Sequence, residues 1–341
     1  MTIIINITNT EEYQHFIFEI FKIIAVQNPS HSFIFIFDKP HDPSFIFPGT
    51  AVVVKPQKIS LLNDLKTASL LKKYKADVFV TAKTLSQTKV PQCLIIDDKV
   101  TSGSLKKATV IIADSEFSKK QIVEKYKIAE DKSDSYRIDV VYKGVNETFH
   151  PIHFKEKEKI KEEYANGNEY FLVAGNIASH EYFLNLLKAF SAFKKMQKSN
   201  MQLLIATNVA DQSLEKLQFF KFKDEVKLLG NLPEEKFIAI MGAAYAFVYP
   251  FAQDYSFALQ AMKCDTPIVV SSTGALPEIC MDGALYAHPG SHKSIADKMM
   301  LIFKDEKLRQ QLIEKGSELL KKYSWENAAR SLWKSIEKAC R

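Results

Sequence analysis

Between Pro250 and Ser272 the chain reads PFAQDYSFALQAMKCDTPIVVSS, and two of its side chains could hold a polar ligand. Asp254 is an acid in the loop after an apolar run, and Gln260 follows on a helical pattern. A carboxylate accepts charge-assisted hydrogen bonds, and an amide oxygen accepts neutral ones of roughly half the strength. Just beyond, in STGALPE, a turn of Ser271, Ser272, Thr273 and Gly274 could offer backbone amides to an anion. The plainer account of those hydroxyls is turn formation, and it weighs equally. Glu278 closes that motif, where it serves as a cap or dipole partner as readily as a ligand contact. His180 opens another helical pattern and would be positive at mildly acidic pH. Asp97 and Asp98 stand together after the apolar run of KVPQCLIIDDKV.

Several other chemistries lack their residues. There is no H-E-x-x-H, G-x-S-x-G, P-loop lysine motif or G-x-G-x-x-G. The four cysteines are scattered without C-x-x-C or Cys/His ligand spacing, so neither a metal nor a redox site is expected. Cys93 and Cys264 sit among apolar residues as small core hydrophobes, and a reducing, cytoplasmic setting fits. His150 and His153 share a linker but are too little for a metal site. The formal charge is +6, from 46 Lys+Arg against 40 Asp+Glu. That excess suits anionic ligands or peripheral contact with an acidic membrane, although a lysine-rich solvated exterior explains it more simply. No basic block is dense enough for nucleic acid. The start, MTIIINITNTEEYQHF, lacks the basic region and cleavage site of a signal peptide. The apolar window at Phe16–Val26 is too short to span a bilayer.

Those residues need elements to position them. At 341 residues, with 46% hydrophobic and 25% charged residues, the chain suits two globular domains. Short apolar runs alternate with helical patterns from end to end. Strands are expected at Thr2–Ile7, Ser32–Phe37, Ala51–Val54, Asp77–Val80, Cys93–Ile96, Val110–Ala113 and Ile138–Val141. A second series falls at Tyr170–Ala174, Gln202–Ala206, Val226–Leu229, Ala246–Tyr249, Ile268–Val270 and Ala284–Ala287. Near-continuous apolar strands separated by helices signify parallel sheets covered on both faces. The charged, turn-rich segment from Tyr142 to Tyr170 reads as a linker and a surface helix, with a boundary near Pro151. The expected layout is residues 1–151, residues 152–322, and a terminal helix in 323–341 that returns to the first domain. Two doubly wound domains would leave a ligand cleft at the carboxyl ends of their strands.

A series of motifs is more specific. In order stand ADSEFSKKQI, YKGVNETFHPI, YFLVAGNIASHEYFLNLLKAF, VKLLGNLPEE, the stretch from Pro250, STGALPEICMDGALYAHPG and YSWENA. The series resembles the GT-B glycosyltransferases, in particular the retaining family four (glycosyl transferases group 1), over most of the chain beyond Ala76. The resemblance implies two Rossmann-like domains, an acceptor-binding amino half and a carboxyl half that binds a nucleotide-sugar. It implies transfer of the sugar to a hydroxyl with retention, without metal or other cofactor. Glycan or lipid-linked acceptors would be the second substrate, handled in the cytoplasm or at the inner face of the membrane.

Carried over residue by residue, the resemblance puts Gln260 where the family has a ribose-binding glutamate. Asp254 lies nearest the first, sugar-contacting glutamate. The glycine turn falls on Gly175, and the cationic pair that clamps the diphosphate falls on His180 and Glu181. The turn at Ser272, Thr273 and Gly274, with Glu278, keeps the phosphate-side pattern. The acceptor-side histidine becomes Asp97, beside a retained Asp98. The turn after the first strand has no glycine, and Thr8 or Thr10 is a helix cap instead. So many substitutions leave a second reading, a catalytically inactive GT-B subunit that binds a ligand or a protein partner. A third is a nucleotide-sugar epimerase on the same sheets.

Overall fold

The computed structural model describes residues 1–7, 11–37, 50–54, 63–82, 85–96, 105, 107–127, 137–175, 177, 180–251 and 254–340. The chain divides into two compact units, residues 1–144 with 324–341, and residues 145–323.

The first unit holds a seven-stranded sheet, in the order β3-β2-β1-β4-β5-β6-β7. Its strands are β1 (Thr2–Asn6), β2 (Ser32–Phe37), β3 (Thr50–Val54), β4 (Val78–Thr81), β5 (Gln92–Ile95), β6 (Val110–Ala113) and β7 (Arg137–Val140). Every pairing is parallel. Burial of Ile3, Ile4, Ile5, Val78, Phe79 and Val80 explains why these runs do not alternate with polar residues, since helices cover both faces.

Helices α1 (Glu11–Gln27), α2 (Asn63–Lys73) and α3 (Glu116–Tyr126) connect them. Ser115 caps α3 by accepting the Ser118 N–H at 3.0 Å, and burial of Ile122 fixes the packed face.

The chain's last helix, Trp325–Ala339, belongs to this unit. It buries Trp325, Ala328, Ala329, Leu332, Ile336 and Ala339, a spacing that forms one apolar stripe. Trp325 meets His15 and Phe16 of α1 edge-on, at 5.6 and 6.1 Å between ring centres. A Cβ on Gly144 would lie 2.5 Å from the Trp325 backbone nitrogen, so only glycine lets that turn pass.

The second unit is a six-stranded parallel sheet, β10-β9-β8-β11-β12-β13. The strands are β8 (Tyr170–Ala174), β9 (Gln202–Ala206), β10 (Val226–Leu228), β11 (Ala246–Tyr249), β12 (Ile268–Ser271) and β13 (Ala284–Ala287). The helices are α4 (Phe154–Ala165), α5 (His180–Gln197), α6 (Asp211–Gln218), α7 (Glu234–Ala243) and α8 (Ser256–Lys263). After them come α9 (Leu276–Cys280), α10 (His292–Lys304) and α11 (Glu306–Leu319), and the terminal helix is α12.

The core of this unit is aromatic. Phe171, Phe190, Phe193, Phe247 and Tyr249 are fully buried, and burial of each such side chain favours folding by about 1.5–3 kcal/mol. Strand order reverses direction at β8 and β11, and a doubly wound sheet presents its ligand site outside the carboxyl ends of such strands.

Several expected strand boundaries shift by a residue: β1 ends at Asn6 rather than Ile7, β10 ends at Leu228 rather than Leu229, and β12 runs on to Ser271. Helix α11 is followed by a 3-10 turn over Leu320–Lys322. The five-residue α9 was not anticipated. Pro277 in its first turn and the buried Leu276, Ile279 and Cys280 account for it, a register too short for sequence periodicity.

Candidate functional site

At the carboxyl end of β8, Gly175 takes φ +86°, a conformation that disfavours any side chain. A Cβ there would sit 2.9 Å from Phe257 Cε2 and 3.0 Å from Tyr249 Cε2. Two aromatic rings from β11 and α8 therefore close on the turn, and glycine is what admits them.

Tyr249 also anchors the next loop. Its hydroxyl accepts the Asp254 N–H at 3.3 Å. Burial pushes the phenol up to about 12, so it is a neutral group across the physiological range. The Asp254 carboxylate has a structural task of its own, because Oδ1 accepts the Ser256 N–H at 3.0 Å and fastens the entry to α8.

One turn into that helix, Gln260 Oε1 is buried and has no hydrogen-bond partner among the described residues. A buried acceptor left so costs about 1–3 kcal/mol, which a ligand hydroxyl would offset.

His180 is the first residue of α5 and is half-buried. Its Nδ1 shares a hydrogen bond with Ser213 Oγ at 2.9 Å. Ser213, on α6, is 2% exposed, so the ring is held from below by a fixed partner. Glu181 points its charge into an exposed position, and Tyr182 packs on Phe251 at 6.0 Å between ring centres. That contact ties the first turn of α5 to the loop after β11.

After β12 the chain forms a hydroxyl-built turn. Ser271 Oγ lies 2.9 Å from Thr273 Oγ1 and accepts the Thr273 N–H at 3.1 Å. The Ser272 N–H is taken by the Ala287 carbonyl at 2.9 Å. The amides of Ser272 and Thr273 are thus already paired, which narrows the expected anion-facing donors. The Gly274 and Ala275 amides follow them with no hydrogen bond among the described residues, and Gly274 takes φ +78°. Glu278 is half-buried in the first turn of α9.

Gly175, His180, Asp254, Gln260 and the turn of Ser272, Thr273 and Gly274 therefore arise from the carboxyl edge of one sheet, at β8, β11 and β12. Asp97 and Asp98 lie outside the described residues, as do Thr8 and Thr10. Ser213, Tyr249 and Phe257 were not singled out in the sequence, where they read as ordinary helix or strand positions.

The first unit carries its own polar cluster at the end of β6. Asp114 Oδ1 accepts the Ser118 hydroxyl at 2.6 Å and the Ser115 hydroxyl at 3.2 Å, with Lys143 Nζ 3.9 Å from Oδ2. Among the described residues, no group of three or more His, Cys, Asp or Glu side chains is placed to hold a metal ion. Cys93, Cys264 and Cys280 are free and buried, and desolvation raises each thiol to about 12. No described helix is long and apolar enough to cross a membrane.

Comparison with known proteins agrees with this arrangement. Residues 154–319 match the family described as glycosyl transferases group 1. The chain is 33% identical over 104 residues to O-antigen chain mannosyltransferase B of Escherichia coli, covering 30% of this chain and 27% of that protein. It is 28% identical over 197 residues to O-antigen chain mannosyltransferase RfbU of Salmonella typhimurium, covering 56% of this chain and 50% of that protein. The chain thus spans half or less of these relatives' length. In fold it is similar to Anabaena HepE, solved in complex with UDP-glucose, with a TM-score of 0.73 at 13% identity over 99% of this chain and 100% of that one. The likeness establishes the GT-B glycosyltransferase fold.

Proposed function

From the membership of residues 154–319 in glycosyl transferases group 1, we propose that the protein moves a hexosyl group from a nucleotide-diphosphate-sugar to a hydroxyl acceptor, with retention. The observation that carries this reading is the unpartnered Gln260 Oε1, buried on the helix that follows the switch-point strand β11. A ribose hydroxyl supplies the donor it lacks.

The amides of Gly274 and Ala275 and the His180 ring, steadied by Ser213, face the diphosphate in this reading. Such preorganised donors stabilise the charge that develops as the bond between the sugar's anomeric carbon and the phosphate oxygen breaks. Asp254 contacts the sugar through its carboxylate while holding Ser256, and Glu278 lies on the phosphate side. Asp97 and Asp98 orient the acceptor hydroxyl, whose oxygen forms the new bond and loses its proton. No cofactor takes part. The relatives named O-antigen chain mannosyltransferases favour a glycan or lipid-linked acceptor, and the complex of HepE with UDP-glucose favours a nucleotide-sugar donor. The reaction belongs to the cytoplasm.

A second reading rests on Asp254 and Glu181. The carboxylate is engaged as a helix fastener, and a negative side chain stands where the family carries a cation. Under that reading the protein binds nucleotide-sugar, or a protein partner, without turnover. Incubation with labelled nucleotide-sugars and a lipid extract, followed by NMR of the anomeric signal, separates the two. A product of unchanged anomeric configuration supports transfer with retention. Saturable binding without product supports the silent subunit, and an inverted product sinks retention.

A further inference from the structure

A groove of about 530 Å³ lies on the second unit, lined from α5, α6 and the start of α10 and by none of the residues of the turn at Gly175. Lys188 and Lys195 line it from α5, Lys216 from α6, and Lys221 with Phe219 and Phe220 from the segment beyond α6. All four lysines are exposed, and no carboxylate lines the groove among the described residues.

Phe219 is 87% exposed, and the run from Phe219 to Lys223 reads FFKFK. Lys221 Nζ lies 5.5 Å over the Phe222 ring, so cation and aromatic are interleaved at the tip. One exposed Phe means little in isolation. Four ammonium groups around two phenylalanines, with no acid among the described lining residues, form a surface of a different kind. Water gains nothing from the rings and the lysines repel one another, so the face is complementary to a surface that is anionic outside and apolar beneath. An anionic bilayer has that profile within a few ångströms of depth. Lysine stems lie along apolar surface while their heads stay in the phosphate layer.

We propose that this face docks on an anionic lipid bilayer, Phe219 entering the boundary between headgroups and acyl chains while Lys188, Lys195, Lys216 and Lys221 meet lipid phosphates. The proposal does not depend on the transfer reading, since none of these residues belongs to the turn at Gly175 or its neighbours.

The test is co-sedimentation of the full chain with vesicles of phosphatidylglycerol and phosphatidylcholine, against phosphatidylcholine alone. Binding to the acidic vesicles is expected, with loss at high salt. Each lysine changed to Gln should weaken partition about fivefold. The set K188Q/K195Q/K216Q/K221Q should then lose it by more than a hundredfold, and F219S several-fold. A control of equal net charge, K155Q/K159Q/K307Q/K334Q, changes exposed lysines elsewhere and should retain most of the binding. Circular dichroism and the melting point, unchanged in each variant, exclude unfolding as the cause. Equal binding to neutral vesicles, equal loss in the control set, or no vesicle binding at all overturns the proposal. Retention on heparin without vesicle binding also overturns it, in favour of a polyanionic macromolecule as the occupant.

Discussion

Changing Gln260 to Leu should move stability and ligand affinity in opposite directions. In the free protein Gln260 Oε1 is buried without a partner, a state that costs about 1–3 kcal/mol. Leucine has nearly the same volume and no polar atom, so the variant recovers part of that cost. The second unit should gain about 1 kcal/mol, or roughly 2–4 °C in melting temperature for a unit of its size. The same change removes the acceptor for the nucleotide's ribose. A neutral hydrogen bond is worth about 0.5–1.5 kcal/mol net, so affinity for a nucleoside diphosphate should fall about 2- to 13-fold. Differential scanning calorimetry reads the first quantity and isothermal titration the second. A variant that is less stable, or that binds the nucleotide as tightly as before, refutes the assignment of Gln260.

Three further changes test the supports of the site and the fold. Gly175→Ala places a methyl 2.9 Å from Phe257 at φ +86°, and conformational strain plus overpacking should cost about 2–4 kcal/mol in urea denaturation. Nucleotide binding should weaken with it; a change below about 0.5 kcal/mol would show that the rings yield freely. Gly144→Ala brings a Cβ within 2.5 Å of the Trp325 nitrogen, so it should destabilise the first unit by about 1–3 kcal/mol or more, read by loss of Trp325 fluorescence at lower denaturant. Tyr249 has its phenol raised to about 12 by burial. The folded state thus holds its proton more tightly than the unfolded chain, and the stability this gives is complete below pH 10 and disappears as pH climbs from 10 towards 12. In a 295 nm titration, Tyr249→Phe should remove one late-ionising phenol; loss of one that ionises near pH 10 instead would contradict the burial argument.

The legible part of this molecule was what repeats along the chain. Strands such as Ile3–Ile5 and Tyr170–Ala174 show as unbroken apolar runs because both of their faces are buried, and helices such as Trp325–Ala339 show as regular stripes. The turn at Gly175 was readable for the same local reason, since backbone conformation leaves a residue-type signature. The hydrogen bond of His180 to Ser213, 33 positions apart, left none. Nor did the closure of Phe257 and Tyr249 on Gly175, which exists only once β8 and β11 are neighbours. Asp254 shows a subtler limit, because the same side chain type serves a sugar contact or a helix entry, and only geometry revealed the bond to Ser256. For the Ser272 and Thr273 amides an anion site and plain turn formation were equally open, and only geometry shows the carbonyl of Ala287 and the hydroxyl of Ser271 occupying them.

The central claim is that the carboxyl edge of the second sheet receives a nucleotide-sugar through its diphosphate and ribose. Titration calorimetry of the full chain against UDP-, GDP- and ADP-hexoses tests it most directly. One saturable site per chain for at least one donor, competed by the matching nucleoside diphosphate and weakened in Gln260→Leu, is the predicted result. Heat of dilution alone across the whole panel would contradict it.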